Sequence, residues 1–573
     1  MTTTNPANAM IDTQFQNAME LEIHGRNQEA EAAYRRIMTA NPDHAEAAYR
    51  LGGMMLRTNQ PGAIDLLARA VRLKPTNYSW ANDLGVAYHW QGRLDNAIAC
   101  YQHVVAHEAN HAGAWSNLAE AFRSRGQVTE ALDFARRAIA ARPYAVDGYN
   151  QAGLCLLEMG QSDQAMASFR RAMALSPMAV EPRYNLGNAL VAQDRIEEAI
   201  ETYQQAVTLY PDNSRALGNL AVARLHAGDV QAAIDGCRAA VKADPNFAEA
   251  RMNLGMLLLL TGQYPEGLAE HEWRLKVRNL QDRRFIAEPA WDGKPAPRPG
   301  ESVLLIHAEQ GIGDTIQFCR FVPAAAAGQW KIVLEVHSTL CRLLQSAPAL
   351  ADVTIVPKAA THEVAPHEAH VALLSLPHLL GLTDPAADAF ATPLHFDLDP
   401  ALREKWRQRV ADAARPGTLK VGLAWSGNPK HPEDHRRSLQ LSAIKPFDQA
   451  GVSVFSLQFG AGATQASGEN SPVHLLDLTA ESDDFADTAA LIEQLDLVVT
   501  ADTVIAHVAA SLGKPTWLLL YAVPDWRWML DRDDSPWYPT VRIFRQTKRG
   551  DWEHPVTAAA DAMAELARAH AAG

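Results

Sequence analysis

Residues recur every 34 positions through nearly half of this 573-residue chain. A period of that length dictates a stack of small units rather than one globular core. Pro75, Pro143, Pro177, Pro211 and Pro245 keep the spacing, with Ala109 in the one vacant slot and Pro42 ahead of the series. Leu-Gly or a near variant recurs at Leu51-Gly52, Leu84-Gly85, Leu118-Ala119, Ala152-Gly153, Leu186-Gly187, Leu220-Ala221 and Leu254-Gly255. Glycines at 92, 126, 160, 228 and 262 mark a turn, and Asp194 fills the remaining slot. Alanine repeats at 97, 131, 165, 199 and 233; Tyr101, Phe169 and Tyr203 share a further position with Ala135 and Cys237. Each class has a physical role. The glycine ends a helix where φ must be free, the alanine lets two helices approach closely, and the proline stops the second helix.

This pattern resembles the tetratricopeptide repeat, a helix-turn-helix unit. About seven units are expected between residues 10 and 276, the first and last imperfect, after a disordered N-terminus at 1–9. Such units stack into an α-solenoid with a concave binding face. One column of it is polar: Asp83, Asn117, Gln151, Asn185, Asn219 and Asn253 each precede the Leu-Gly slot. Amides both donate and accept, so a column of them suits the backbone of an extended polypeptide. Asparagine ladders of this kind are a property of tetratricopeptide domains that hold peptides, including the protein O-GlcNAc transferases. The other reading is that these amides only bond locally.

After Trp273 the period ends. Residues 277–300 read as a proline-rich linker containing Trp291-Asp292-Gly293. Short apolar runs then alternate with helical patterns: Val303–His307, Lys331–Val336, Val353–Val356, Val371–Leu376, and after a helix near Ala401–Arg415, Lys420–Trp425, Val452–Gln458, His474–Leu478, Leu495–Thr500, Thr516–Tyr521 and Val541–Phe544. Alternating strand and helix predicts parallel sheets. Two series predict two Rossmann-like lobes, 301–415 and 416–573, with ligand at the strand C-termini.

Composition narrows the class. Lys and Arg number 52 against 66 Asp and Glu, a net charge of −14, which disfavours nucleic acid as a partner. The five cysteines are scattered without a CxxC pair, which points to a reducing compartment. The first residues lack a cationic and apolar leader, and the longest apolar run, Leu254 to Leu260, is too short to span a bilayer. A cytoplasmic protein without membrane insertion is expected.

Three motifs carry chemistry. Ala308-Glu309-Gln310-Gly311-Ile312-Gly313-Asp314-Thr315 follows the first strand; its glycines allow a tight turn and close ligand approach, and Asp314 either serves as a general base or caps the helix. In Asp502-Thr503-Val504-Ile505-Ala506-His507, a strand gives way to a helix whose free N–H groups suit a diphosphate. Asp502 there accepts from a sugar hydroxyl or orients His507; the plainer reading is a capped helix. Lys430, Arg436 and Arg437, in the loop after Trp425, either neutralise a leaving diphosphate or form a solvated basic loop. Trp526, Trp528, Trp537 and Tyr538 either stack on a ligand or pack between lobes. Asp531-Arg532-Asp533 mimics a metal motif but reads as an exposed acidic loop, and no metal is assigned there or to His362, His367 and His370.

The G-[IL]-G-D and D-T-x-x-x-H-x-x-A-x-L-G-K-P patterns look like the heptosyltransferase-like glycosyltransferases of family nine. That resemblance implies a two-lobed GT-B fold and a nucleotide-sugar donor with no further cofactor. It implies Asp314 as catalytic base and Lys430, Asp502, Thr503, His507, Gly311 and Gly313 at the donor site; Arg436 and Arg437 are added on charge alone. It also implies inversion without a metal. Combined with the repeats, the chain looks like a bacterial group that includes flagellin glycosyltransferases. The expected activity is therefore transfer to a Ser/Thr hydroxyl of a protein held by the repeats, possibly flagellin. A saccharide acceptor, as in lipopolysaccharide assembly, or a non-catalytic scaffold are the alternatives. ADP-heptose, UDP-hexosamine and a CMP-linked nonulosonic acid all stay open as donors.

Overall fold

The computed structural model describes residues 6–277, 283–285, 289–358, 365–382, 390, 392–431, 433–466 and 472–572. The chain divides into two compact units, 1–223 and 224–573. Among the described residues, sixteen helices run in successive pairs from Pro6 to His271: α1 (Pro6–Ile23), α2 (Asn27–Ala40), α3 (Ala45–Arg57), α4 (Ala63–Leu73), α5 (Tyr78–Trp90), α6 (Leu94–His107), α7 (Ala112–Ser124), α8 (Val128–Ala141), α9 (Val146–Glu158), α10 (Ser162–Leu175), α11 (Glu181–Ala192), α12 (Ile196–Leu209), α13 (Ser214–His226), α14 (Val230–Ala243), α15 (Ala248–Leu260) and α16 (Tyr264–His271). These are eight pairs, one more than the period indicates, and the first helix begins at Pro6 rather than at residue 10. The extra pair is α1–α2, where Asn17-Ala18 stand 34 residues before Leu51-Gly52 in place of Leu-Gly, and both of the first two pairs are shifted in register. The left-handed turn residues Gly25 and Asn59 each fall one position later than the later repeats project. The slip is absorbed at α4, which has 11 residues where α6 has 14.

Inside the first unit, three helix pairs each lock their two helices together through a ring set against a glycine. A Cβ on Gly85, Gly153 or Gly187 would overlap the ring of Tyr101, Phe169 or Tyr203, respectively. Where the ring is lost, at Ala135, the glycine slot has grown to Ala119, and both alanines are fully buried. The sequence makes the same double exchange at 221 and 237. Asp194, in the slot of the turn glycines, takes their left-handed conformation at φ 56°, which Asp tolerates better than most residues. Helices α5, α7, α9 and α11 contact one another in series, so the column of amides they carry runs along one wall.

The second unit holds two all-parallel sheets. The first contains β1 (Val303–His307), β2 (Lys331–Val336), β3 (Thr354–Pro357) and β4 (Ala369–Ala372) in the order β3-β2-β1-β4. The second contains β5 (Leu419–Ala424), β6 (Val452–Ser456), β7 (Leu476–Asp477), β8 (Leu497–Ala501), β9 (Thr516–Leu520) and β10 (Val541–Arg545) in the order β10-β9-β8-β5-β6-β7. All ten expected strands are present. Several are shorter than expected; among them, the chain leaves β4 for a helical turn at Leu373–Ser375, and β7 keeps two residues. Both strand orders reverse once, between β1 and β4 and between β5 and β8, and such switch points open a crevice at the strand ends. Among the described parts of the linker, Trp291 is buried and its backbone N–H donates to His370 O beside β4.

Four further helices matter for the site: α17 (Ile312–Phe318), α18 (Pro400–Ala413), α19 (Phe485–Glu493) and α20 (Val504–Ser511). Helix α18, expected to close the first lobe, packs against α19 of the second, with Trp406 Nε1 donating to Asp487 at 2.9 Å. The last repeat pair is continuous with the sheets: Leu259, Leu260, Tyr264 and Leu268 share one core with Leu304, Ile306, Val508 and Leu518. No helix among the described residues is long and apolar enough to cross a membrane.

The ring-and-glycine contact sets a stability test. Gly187→Ala is expected to destabilise the repeats by about 1–3 kcal/mol through overpacking. Adding Tyr203→Ala should recover part of that, because the pair then resembles Ala119 and Ala135. Urea denaturation of the double-mutant cycle measures the coupling; strictly additive losses would exclude this account.

Candidate functional site

The three motif loops leave the C-terminal ends of β1, β5 and β8, the last two at the switch point of their sheet. Helix α17 from the first lobe meets α20 from the second. Gly313 makes this approach feasible: a Cβ there would sit 2.7 Å from His507 Cδ2. The glycine is therefore explained by helix packing rather than by ligand approach.

Asp314 lies at the third position of α17. Its Oδ2 accepts from Gly311 N–H at 2.9 Å, capping the helix start and occupying that donor. Its Oδ1 pairs with Arg527 Nη2 at 2.5 Å. Arg527 is 5% exposed, lies over the Trp526 ring at 4.5 Å, and donates a second time to Asp525 Oδ1 at 2.8 Å. Burial opposes its charge, but Asp314, Asp525 and Asp502 outweigh that and raise its pKa above the ordinary value. Arg527 is not legible as a site residue in the sequence. The only local signal is an arginine set between two tryptophans.

Asp502 is buried and accepts from Trp528 Nε1 at 2.9 Å. It does not orient His507, whose Nδ1 instead meets Tyr538 OH at 3.0 Å. Burial, with Asp525 adding to it, pushes the Asp502 carboxyl up to about 6. Burial, reinforced by Arg527, lowers His507 to about 3, so the imidazole is neutral at physiological pH. Thr503 caps α20, its Oγ1 accepting from Ile505 N–H at 3.3 Å. The aromatic segment resolves in favour of packing: Trp526, Trp528, Trp537 and Tyr538 are all buried, and Trp537 touches Phe318, Phe321, Phe390 and Tyr264.

The basic loop divides. Lys430 is exposed, and among the described residues its side chain makes no ion pair or hydrogen bond. Arg437 bonds Asp434 at 3.3 Å and acts electrostatically on Asp502, so it belongs to this cluster. Arg436 does not join them. It is 9% exposed in its side chain and turns to Glu433 and to His226 at the end of α13, which makes it a contact between the second lobe and the repeats. Among the described residues, no group of three His, Cys, Asp or Glu is placed to hold a metal; His362 lies outside the described residues.

The amide column is partly spent on asparagines outside it, on the first helix of the preceding pair. Asn117 Nδ2 donates to Asn82 at 2.9 Å, Asn185 Nδ2 to Asn150 at 2.8 Å, and Asn219 Nδ2 to Asn188 at 3.2 Å. Asp83 accepts from Tyr49 OH at 2.5 Å. Each amide keeps a carbonyl and one N–H beyond these bonds, and Gln151 Oε1 is buried without a hydrogen-bond partner among the described residues. The final rung, Asn253, is on α15, which packs against the turn Trp526–Trp528 that carries Arg527.

Six matches to a tetratricopeptide repeat profile lie between residues 16 and 272. Residues 474–551 match glycosyltransferase family 9 (heptosyltransferase), a segment that contains Asp502, Thr503, His507, Asp525 and Arg527 but neither Asp314 nor Lys430. The chain thus carries tetratricopeptide repeats and a family 9 glycosyltransferase domain. It is 26% identical over 339 residues to Protein FlbA of Caulobacter vibrioides, covering 54% of each chain. It is 36% identical over 128 residues to a TPR repeat-containing protein of Synechococcus elongatus, covering 20% of this chain and 31% of that one. The chain therefore spans about half the length, or less, of these curated relatives. Among solved structures, a thermophilic TPR protein of Thermus thermophilus is 21% identical at a TM-score of 0.30, covering 32% of this chain and 99% of that one.

The buried acid yields a prediction with a definite sign. A carboxyl raised above its unfolded value makes the native state bind more protons, so its destabilising effect grows as pH rises from about 4 to 6 and is complete above that. His507 acts oppositely: it is lowered, so stability is lost as pH falls from about 6.5 towards 3. Asp502→Asn keeps an acceptor for Trp528 and removes the buried charge. It should stabilise the protein at pH 8 by roughly 1–3 kcal/mol, with the gain vanishing below about pH 4. Thermal melts across pH check this; no gain at pH 8 would mean that Asp502 carries no ionisation penalty.

Proposed function

We propose that this chain is a glycosyltransferase that moves a sugar from a nucleotide-sugar donor onto a hydroxyl of a polypeptide bound along its repeats. One observation carries the reading: the helix bearing the last amide, Asn253, packs on the turn that holds Arg527 against Asp314. The last amide, Asn253, thus lies on a helix packed beside Arg527, the partner of Asp314, and Asp314 is the carboxylate we assign to accept the proton. Asp314 takes the hydroxyl proton of a Ser or Thr as its oxygen attacks the anomeric carbon. The bond to the diphosphate oxygen breaks, and the nucleotide leaves with the electron pair. Lys430, Arg437 and the N–H groups at the start of α20 meet the charge on that leaving group, a contribution worth several kcal/mol to such reactions. Arg527 fixes the carboxylate's direction, and Asp525 remains as its partner once Asp314 is protonated.

Two all-parallel sheets facing one site support the GT-B reading. Inversion, metal independence and flagellin as the acceptor to try first come with the family resemblance. A saccharide acceptor is less well supported, because the repeat wall would then have no occupant.

Asp314→Asn should reduce transfer at least 100-fold while donor binding, measured by calorimetry, persists; unchanged turnover would exclude the base. Glycopeptide mass spectrometry decides between acceptor classes, a mass increment on polypeptide being expected. Removing residues 1–223 should abolish protein modification and spare donor binding. Removing residues 1–270 should instead unfold the sheets, since Leu259, Leu260, Tyr264 and Leu268 belong to their core.

A further inference from the structure

We propose that Arg274 is a positioning residue for the loop that presents Asp314, so that the end of the repeats completes the site; the proposal rests on the reading of Asp314 above. Arg274 follows α16, in a helical turn at Glu272–Lys276, and is 1% exposed. All five of its N–H donors are spent. Nε and Nη2 reach Glu309 Oε1 at 3.3 and 2.9 Å, Nη2 also reaches Ser375 Oγ at 2.8 Å, and Nη1 reaches Glu272 at 2.6 Å and His271 O at 3.2 Å. Glu309 belongs to the motif loop after β1, and Ser375 to the turn after β4. These strands flank the switch point of the first sheet, so the guanidinium plugs the crevice from which the Asp314 loop emerges.

The pairing is obligatory in both directions. Burial pushes the Glu309 carboxyl up, against the pull of Arg274, and a buried carboxylate stripped of its cation must either protonate or move. The rest of the loop is held more lightly: Lys358 Nζ donates to Ala308 O at 3.1 Å, and His337 Nε2 approaches Gln310 O at 3.4 Å. Lysine could not replace Arg274, because three donors on one nitrogen cannot span Glu309, Glu272 and Ser375 together. Displacing the loop shifts Asp314 relative to Arg527, and a shift near 1 Å is enough to misalign a reacting group.

The test uses the full-length chain with Arg274→Met, Glu309→Gln and the double variant. Hydrogen exchange, which requires no substrate, should be about tenfold faster at 308–318 in Arg274→Met, unchanged at 497–511, and slower again in the double variant, where both charges are gone. Turnover should fall about 10- to 100-fold with donor KM unchanged, and recover in part in the double variant. If Arg274→Met does not fold, Glu309→Gln, which preserves shape, must show the same localised deprotection. Unchanged exchange at 308–318 in both single variants overturns the positioning role. The exchange pattern without any transfer by the unsubstituted protein overturns the catalytic reading and leaves the positioning intact.

Discussion

The second unit turns on one buried cation. Arg527 lies over Trp526 and between Asp314, from the first lobe, and Asp525, from the second. Burying a guanidinium is costly, and only close carboxylates offset it. The pair therefore holds the two lobes together at a fixed point, and it does so at the start of α17, where Asp314 also caps its own helix. Gly313 beside His507 extends the same contact. A carboxylate so constrained is held in one orientation.

The residues around it are held at some expense to the fold. Asp502 is a buried acid with a single strong donor, Trp528, and a second acid nearby. His507 is a neutral imidazole beside an arginine. Neither arrangement maximises stability, whereas rings and glycines match at three helix pairs of the first unit. Groups with perturbed pKa values gather at the strand ends, which is the mark of a candidate site.

The architecture can be read from the chain because its signals are local. A strand buried on both faces is a run such as Val303–Ile306, and a repeat is a proline, a glycine and an alanine at fixed offsets. The eighth helix pair, α1–α2, escapes because its Leu-Gly slot is filled by Asn17-Ala18. The arrangement at the strand ends is legible where a motif sits at one such end, as with Asp314, Asp502 and Thr503. It is not legible where a contact joins residues far apart in sequence: Arg527 meets Asp314 only through the fold, and Arg274 meets Glu309 and Ser375 the same way. Arg436 illustrates the converse. Its charge and position suggest a ligand, yet Glu433 and His226 claim it, and nothing within its own loop reveals the second of those partners.

A solenoid has two ends, and each exposes an apolar face that must be covered. At the C-terminal end of this one, the covering is not a polar helix but the pair of sheets, which share a core with Leu259, Leu260, Tyr264 and Leu268. The last repeat is thus tied to the sheets it supports, while within the first unit successive repeats pack on their neighbours. Such a chain can lengthen or shorten its binding wall by duplicating or losing 34-residue modules upstream, and leave the distance from the final rung to the carboxylate untouched.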